Sequence, residues 1–531
     1  MGSALSATVF AAFATAARTW AARPFLHVTD ETAQHYGIAP GTLSYGEVAD
    51  QVDAVAALYR AGGYGTGHRI GLMLENRPAV FVHWFALNRL GASVVPLSAE
   101  WRAAELEYVV RHSGMCLAVT SQAHRGRVSG CVTITDDGPV PVAPFPARGA
   151  RPDATTECAL VYTSGTTGRP KGCVLSNKYF LCCGQWYADV GGLCALRPGE
   201  ERLLTPLPMT HVNAMAYSTL AMVLTGGCVV PLDRFHPRSW WRTVRDSGAT
   251  VVHSLGVMPT MLLGLDPSPD DRAHAVRFGF APGVDPRHHA AFEQRFGIPM
   301  IDAWAMTETG GGAVVIASHE PRHIGHSCFG RVPNFMQHRI VDETGTDVDV
   351  GTPGELLVRS AGNDPRAGFF TEYLGDPEAT AAAWEGGWFH TGDVVCSDAG
   401  GNLYFVDRRK NVIRRSGENI AAVEVESVLR QHRLVGDVAC AAVPDDLRGE
   451  EVLACIVLRQ TTGDDDDAAN DIVAHALREL AYFKAPGYVA FVDALPLTGT
   501  HKVQRGELKA WAQRLPGTVR CIDTRHLKRR S

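Results

Sequence analysis

At 531 residues the chain is too long to fold around one hydrophobic core, so at least two domains are expected. Its 46% hydrophobic and 20% charged residues are ordinary for a globular protein, and a formal charge of −6 gives no basis for attraction to nucleic acid or an anionic membrane. The 13 cysteines include no C-x-x-C pair, which argues against a disulfide framework or a zinc site and for reduced thiols in the cytoplasm.

Residues 1–22 are Ala-rich without a basic start and read as an opening helix, not a signal peptide. Residues 45–60 have helical spacing, 68–74 form an apolar strand, 79–90 are helical again and 93–97 are a strand. This alternation predicts βα units around largely parallel sheets, and the same rhythm returns over 198–301, with strands at 227–231 and 250–253. From 339 onward short strands alternate with Gly/Asp turns (339–342, 354–359, 387–390 and 403–406), which predicts a β-rich subdomain. Beyond Asp407 a smaller unit is expected, with a helix at 423–432, strands at 438–443 and 452–458, and a last helix at 471–480. The acidic run 464–467 reads as a solvated loop, and the basic cluster 525–530 as a solvated tail.

The strongest chemical signal follows the apolar stretch 159–162. It reads Thr163-Ser164-Gly165-Thr166-Thr167-Gly168-Arg169-Pro170-Lys171-Gly172. Glycines let a backbone approach an anion, successive N–H groups and hydroxyls wrap phosphate oxygens, and Lys171 adds a cation. The spacing is not that of a P-loop. Six further motifs follow in order. They are 278–283 with Gly279-Phe280-Ala281-Pro282, 303–310 with Trp304, Thr307 and Glu308, 387–393 ending in Asp393, 406–410 with Arg408 and Lys410, and finally Ser416-Gly417-Glu418-Asn419 together with 497–503 around Lys502.

Taken together these motifs resemble the adenylate-forming superfamily of acyl- and aryl-CoA ligases, luciferases and nonribosomal adenylation domains. The resemblance covers about 43–509, and the texture of 208–213 and 240–263 is closest to crotonobetaine/carnitine-CoA ligase-like members. It implies an α/β fold with a large N-terminal domain of layered βα sheets plus a β-rich subdomain (1–407). A hinge at 408–410 and a small mobile α+β C-terminal lid (411–531) complete the expected organisation.

The resemblance also implies roles. Residues 163–168 and Lys171 would hold the ATP phosphates, Gly279 to Pro282 the adenine, and Asp393 and Arg408 the ribose. Trp304 stands where tyrosine is usual, which keeps an aromatic face and loses the hydroxyl. Thr307 would contact phosphate, Glu308 would bind Mg²⁺, and His211 would gate the acyl pocket, walled by Asn213 and residues 253–258. Lys502 would offset the repulsion between carboxylate and α-phosphate, with His501 before it where many relatives have glycine. Lys410 would be the hinge of domain alternation, and the loop at Gly417 would guide a thiol. The expected substrates are ATP, CoA and a small carboxylic acid, with no nucleic-acid or membrane partner and a homodimer as the default oligomer. Rival readings are an amide-forming ligase, an ATP- and nitrite-dependent aryl-amine diazotase, and a silent binding protein that keeps the fold.

Overall fold

The computed structural model describes residues 7–163, 170–255, 257–342, 344–408, 412–459, 464–496, 503, 505–518 and 520–528. The chain forms two compact units. One comprises Met1–Ala99, Val110–Val161 and Gly172–Asp407, and the other Glu100–Val109, Tyr162–Lys171 and Arg408–Ser531.

Two seven-stranded sheets dominate the N-terminal region. The first runs in space Met300–Ile301, Phe278–Phe280, Val251–His253, Arg202–Thr205, Cys228–Pro231, Pro24–Val28 and Gly41–Ser44. All its pairings are parallel except the last, in which the edge strand Gly41–Ser44 runs antiparallel. The second sheet places Ser93–Pro96 between Arg69–Met73 and Glu157–Thr163, again in parallel. Strands such as Ser93–Pro96 and Cys228–Pro231 are buried at every position, which is why they read as unbroken apolar runs instead of alternating ones. A five-stranded antiparallel sheet, Cys328–Arg331 to Met336–Val341, is the β-rich subdomain.

Local chemistry sets the helix ends. Ser44 and Glu47 form a reciprocal capping box that starts the helix Tyr45–Ala61. Pro78 opens Pro78–Leu90, and Gly91 closes it with φ +78°. The core of the first unit buries Trp84, Tyr45, Phe13, Phe25 and Phe85 completely, and rings of this size contribute roughly 1.5–3 kcal/mol each.

The second unit is built on a six-stranded sheet, with Gly449–Leu458 paired along Val435–Asp445 and flanked by Tyr488–Phe491. Two sequence expectations are corrected here. The acidic run is not a solvated loop: Asp464 caps the helix Asp465–Glu479 by accepting from the Asp466 and Asp467 amides, and the next three aspartates form its first turn. Negative side chains suit that end because the unsatisfied amides there carry partial positive charge. Nor are the described residues of the basic terminus a solvated tail. The Lys528 side chain is 1% exposed and pairs with Glu451 at 2.5 Å, while Arg525 pairs with Asp523 and Asp445.

All 13 cysteines are unpaired thiols. Among the described residues no helix is long and apolar enough to cross a membrane.

Candidate active site

In the first unit, Thr307 and Glu308 lie between two short strands, Ala303–Trp304 and Val315–Ile316, which pair antiparallel. Three tyrosines from distant elements pin this connection. Tyr179, on the helix Asn177–Asp189, donates to the Thr307 carbonyl at 2.7 Å. Tyr217, on Asn213–Thr219, donates to the Gly310 carbonyl at 3.0 Å. Tyr373, on the edge strand Glu372–Tyr373, donates to Glu308 Oε1 at 2.9 Å. The Phe370 amide holds the Glu308 carbonyl at 2.9 Å. Gly310 is needed because its φ is +45° and a Cβ would enter the Tyr179 ring.

Glu308 is 7% exposed. Burial, reinforced by the Glu308 charge, pushes the Tyr373 phenol far above its ordinary pKa, so it remains a donor. The result is one carboxylate oxygen fixed by a neutral group. No three His, Cys, Asp or Glu side chains converge into a metal cage among the described residues. A single held carboxylate is the donor set that a hard, well-hydrated divalent cation uses when substrate phosphates complete its shell, so the residues present fit Mg²⁺.

Trp304 and Asp393 are brought together across the fold, with the indole Nε1–H donating to Asp393 Oδ2 at 2.8 Å. Both are buried, at 5% and 1% exposure. Trp304 was expected to offer an aromatic face; what the structure adds is an indole edge that orients a carboxylate. The Asp393 backbone is set by its own amide donating to Thr391 Oγ1 at 3.0 Å, and Thr391 in turn donates to the Leu356 carbonyl.

Gly279 and Phe280 form the end of a parallel strand, with Ala281 and Pro282 leading out of its carboxyl edge. The Phe280 ring faces inward, stacked 4.8 Å from His253 on the neighbouring strand. His253 is buried, with Nε2 2.8 Å from the Tyr187 hydroxyl and Nδ1 2.9 Å from Asn213 Oδ1. Asn213 begins a π-helix, Asn213–Thr219. Ser218 and Thr219 support the wider turn by donating to the carbonyls five residues back. His211 is exposed just before this element.

In the second unit, Thr163 ends the strand Glu157–Thr163 and Lys171 begins Lys171–Ser176. Arg408 ends the strand Asn402–Arg408. Gly417 lies in the turn between Val412–Arg415 and Glu418–Ala421, with φ +86° next to Ser416 at +50°. Ahead of that turn Arg415 pairs with Glu451 at 2.8 Å. Ser164, Gly165, Thr166, Thr167, Gly168, Lys410 and Lys502 lie outside the described residues.

The motif reading missed Tyr179, Tyr217 and Tyr373, and likewise Tyr187, Arg415, Glu451 and Lys528. Tyr373 is 65 positions from Glu308, and no local pattern marks it.

Comparison with known proteins assigns this fold to the AMP-binding enzymes. The family described as AMP-binding enzyme matches residues 14–365, and its C-terminal domain matches 424–502. The crotonobetaine/carnitine–CoA ligase of Shigella flexneri is 29% identical over 511 residues, covering 91% of this chain and 96% of that protein. The o-succinylbenzoate CoA synthetase of Bacillus subtilis superposes with a TM-score of 0.80 at 23% identity, covering 94% and 98%. A malonyl-CoA ligase with methylmalonyl-CoA and AMP bound gives 0.74 at 27% identity, covering 89% and 96%. The chain belongs to the AMP-binding enzyme family.

Proposed function

We propose that the protein is an acid–CoA ligase working through an acyl-AMP. A carboxylate oxygen attacks the α-phosphorus of ATP and pyrophosphate leaves; the CoA thiol then attacks the acyl carbon and AMP leaves. The observation that carries this reading is the Thr307–Glu308 connection, immobilised by three tyrosines so that a hydroxyl and a carboxylate are presented without reorganisation.

In this reading Glu308 holds Mg²⁺, which supplies charge neutralisation on the phosphates. Thr307, residues 163–168 and Lys171 hold the phosphates, Gly279 to Pro282 line the adenine, and Asp393, oriented by Trp304, accepts from the ribose hydroxyls with Arg408 nearby in sequence. Lys502 steadies the charge that builds as the two anions meet. The lid begins at the 408–410 hinge, and rotation at Lys410 exchanges Lys502 for the Gly417 loop. His211 gates the acid.

The test is pyrophosphate release over a panel of carboxylic acids, with and without CoA and nitrite, followed by mass spectrometry. Acyl-CoA is the expected product. An amide product, or AMP release that needs nitrite plus an amino-aryl acid and ignores CoA, would replace the second half-reaction by one of its rivals. No acid-dependent release at all would leave a binding protein.

A further inference from the structure

We propose that Asn213 reads a neutral hydrogen-bond acceptor, a hydroxyl, ether or carbonyl oxygen, on the body of the acid, and that the site disfavours acids bearing a second charge. This rests on the reading above that the first unit adenylates an acid.

The strands Val251–His253 and Phe278–Phe280 run parallel and end together at His253 and Phe280. The carboxyl edge of a parallel sheet is where α/β proteins place their ligands. At that edge the structure builds a relay of neutral groups. Asn213 Oδ1 has no proton to give, so His253 Nδ1 carries the hydrogen, donating to Asn213 Oδ1 at 2.9 Å and lying 3.0 Å from Ser218 Oγ. The other ring nitrogen, Nε2, therefore accepts from the Tyr187 hydroxyl at 2.8 Å. Ser218 donates its own hydrogen to the Asn213 carbonyl at 3.0 Å. Every donor in the relay is engaged except one. The Asn213 side-chain nitrogen makes no hydrogen bond among the described residues, and Asn213 is the one member of the relay that is partly exposed.

With Oδ1 turned to the ring, the amide N–H groups of Asn213 are the ones that face outward. The chemistry it offers is donation without charge. Burial pushes the His253 pKa down to about 3, so the ring stays neutral and has no second proton to lend an anion. Nor does the relay contain a carboxylate to balance a cation. Around it the surfaces are aromatic: Trp186 meets Tyr217 edge-on at 5.5 Å, and Phe280 stacks on His253. Such surroundings suit an apolar or aryl body carrying one uncharged acceptor.

Matched acids test this, with kcat/KM from pyrophosphate release and Kd from calorimetry: 3-methoxybenzoate against 3-ethylbenzoate, and 5-oxohexanoate against heptanoate. Isophthalate and 3-(trimethylammonio)benzoate supply the charged members. The wild type should favour the acceptor-bearing member of a pair by roughly five- to tenfold, the worth of one partly exposed neutral hydrogen bond, and bind the charged acids worst. Asn213→Leu, which keeps the volume, should bring the ratio close to one. Asn213→Asp keeps the bond from His253 and turns the outward donor into an acceptor, so ether and ketone acids should fall below their hydrocarbon partners. Equal values across the pairs in the wild type, or ratios unmoved in both variants, overturn the proposal while leaving adenylation intact. A preference seen by calorimetry in the absence of any pyrophosphate release upholds it and removes the adenylation reading instead. Failure to bind any acid overturns both.

Discussion

Glu308 in the first unit and Glu451 in the second are both buried, yet they are held by opposite chemistry. Glu308 accepts from the neutral Tyr373 phenol, and no Lys, Arg or His among the described residues pairs with it. Glu451 is gripped by Arg415 at 2.8 Å and by Lys528 at 2.5 Å, all three side chains at 5% exposure or less. The second unit repeats this elsewhere, where Lys484 bridges Glu424 at 2.8 Å and Glu105 at 2.6 Å. A neutral donor orients a carboxylate and leaves its charge available to a ligand, whereas a cation orients it and cancels that charge. The first arrangement suits a binding site and the second a scaffold.

The comparison breaks most visibly at Glu451. Burial already lowers the Lys528 pKa to about 7, so Glu451→Gln lets that amine shed its proton and leaves the Arg415 guanidinium buried against an amide; the protein should be destabilised by about 3–5 kcal/mol, read from denaturant unfolding. The combined Arg415→Met, Glu451→Leu, Lys528→Met replacement should recover most of that loss. If the single variant unfolds like the wild type, the triad is not a structural pair network. Next comes Lys502→Ala, the proposed charge that the second unit contributes to the chemistry. Acyl-AMP formation should fall on the order of 10²–10³ with the unfolding midpoint unchanged, and a parental rate in the folded variant would remove Lys502 from the adenylation step.

A smaller effect probes the neutral side. Tyr373→Phe deletes only the hydroxyl that orients Glu308, and one such bond is worth about 1 kcal/mol, or roughly fivefold. The loss should fall on the Mg²⁺ concentration that half-saturates pyrophosphate release and on KM for ATP. An effect confined to thermal stability would make Tyr373 a packing residue.

Which parts of this were legible in sequence follows from chain distance. The phosphate-loop string and the βα rhythm are contiguous and periodic, so motif and spacing reach them. The partners that make the site work are not: Trp304 and Asp393 are 89 positions apart, and Lys528 and Glu451 are 77. Nothing in the sequence shows why Gly311 must be glycine: a Cβ there would come within 2.6 Å of the Cys182 backbone, so close packing on the helix Asn177–Asp189 is what requires it. Composition misled twice, at 464–467 and 525–528, because it cannot tell a loop from the charged start of a helix or a solvated charge from one half of a buried pair.

The mildest test asks what acid does to the first unit's neutral networks. His253 and His83 are both buried and neutral; His83 lies 2.8 Å from the Tyr59 hydroxyl and 3.1 Å from the Asp136 carbonyl. Burial lowers the two pKa values to about 3 and about 4. In the unfolded chain each titrates near 6.5, so as pH falls the unfolded state takes up protons first. Stability is therefore fully present above about pH 6.5 and is lost as pH drops toward the folded values. Between pH 7.5 and 6 the loss amounts to about 0.8 kcal/mol for each histidine, and it steepens below that. His253→Phe should lower stability at pH 7.5, because Tyr187 and Asn213 lose their partner, yet it should flatten the acid slope by one histidine's share. His83→Phe should flatten it equally. Chemical denaturation of the wild type and both variants at pH 7.5 and 6 separates the slope from the offset. A slope unchanged in both would mean that these imidazoles accept protons in the folded state, and with that the acceptor role of His253 Nε2 toward Tyr187 and the neutrality of the relay would go too.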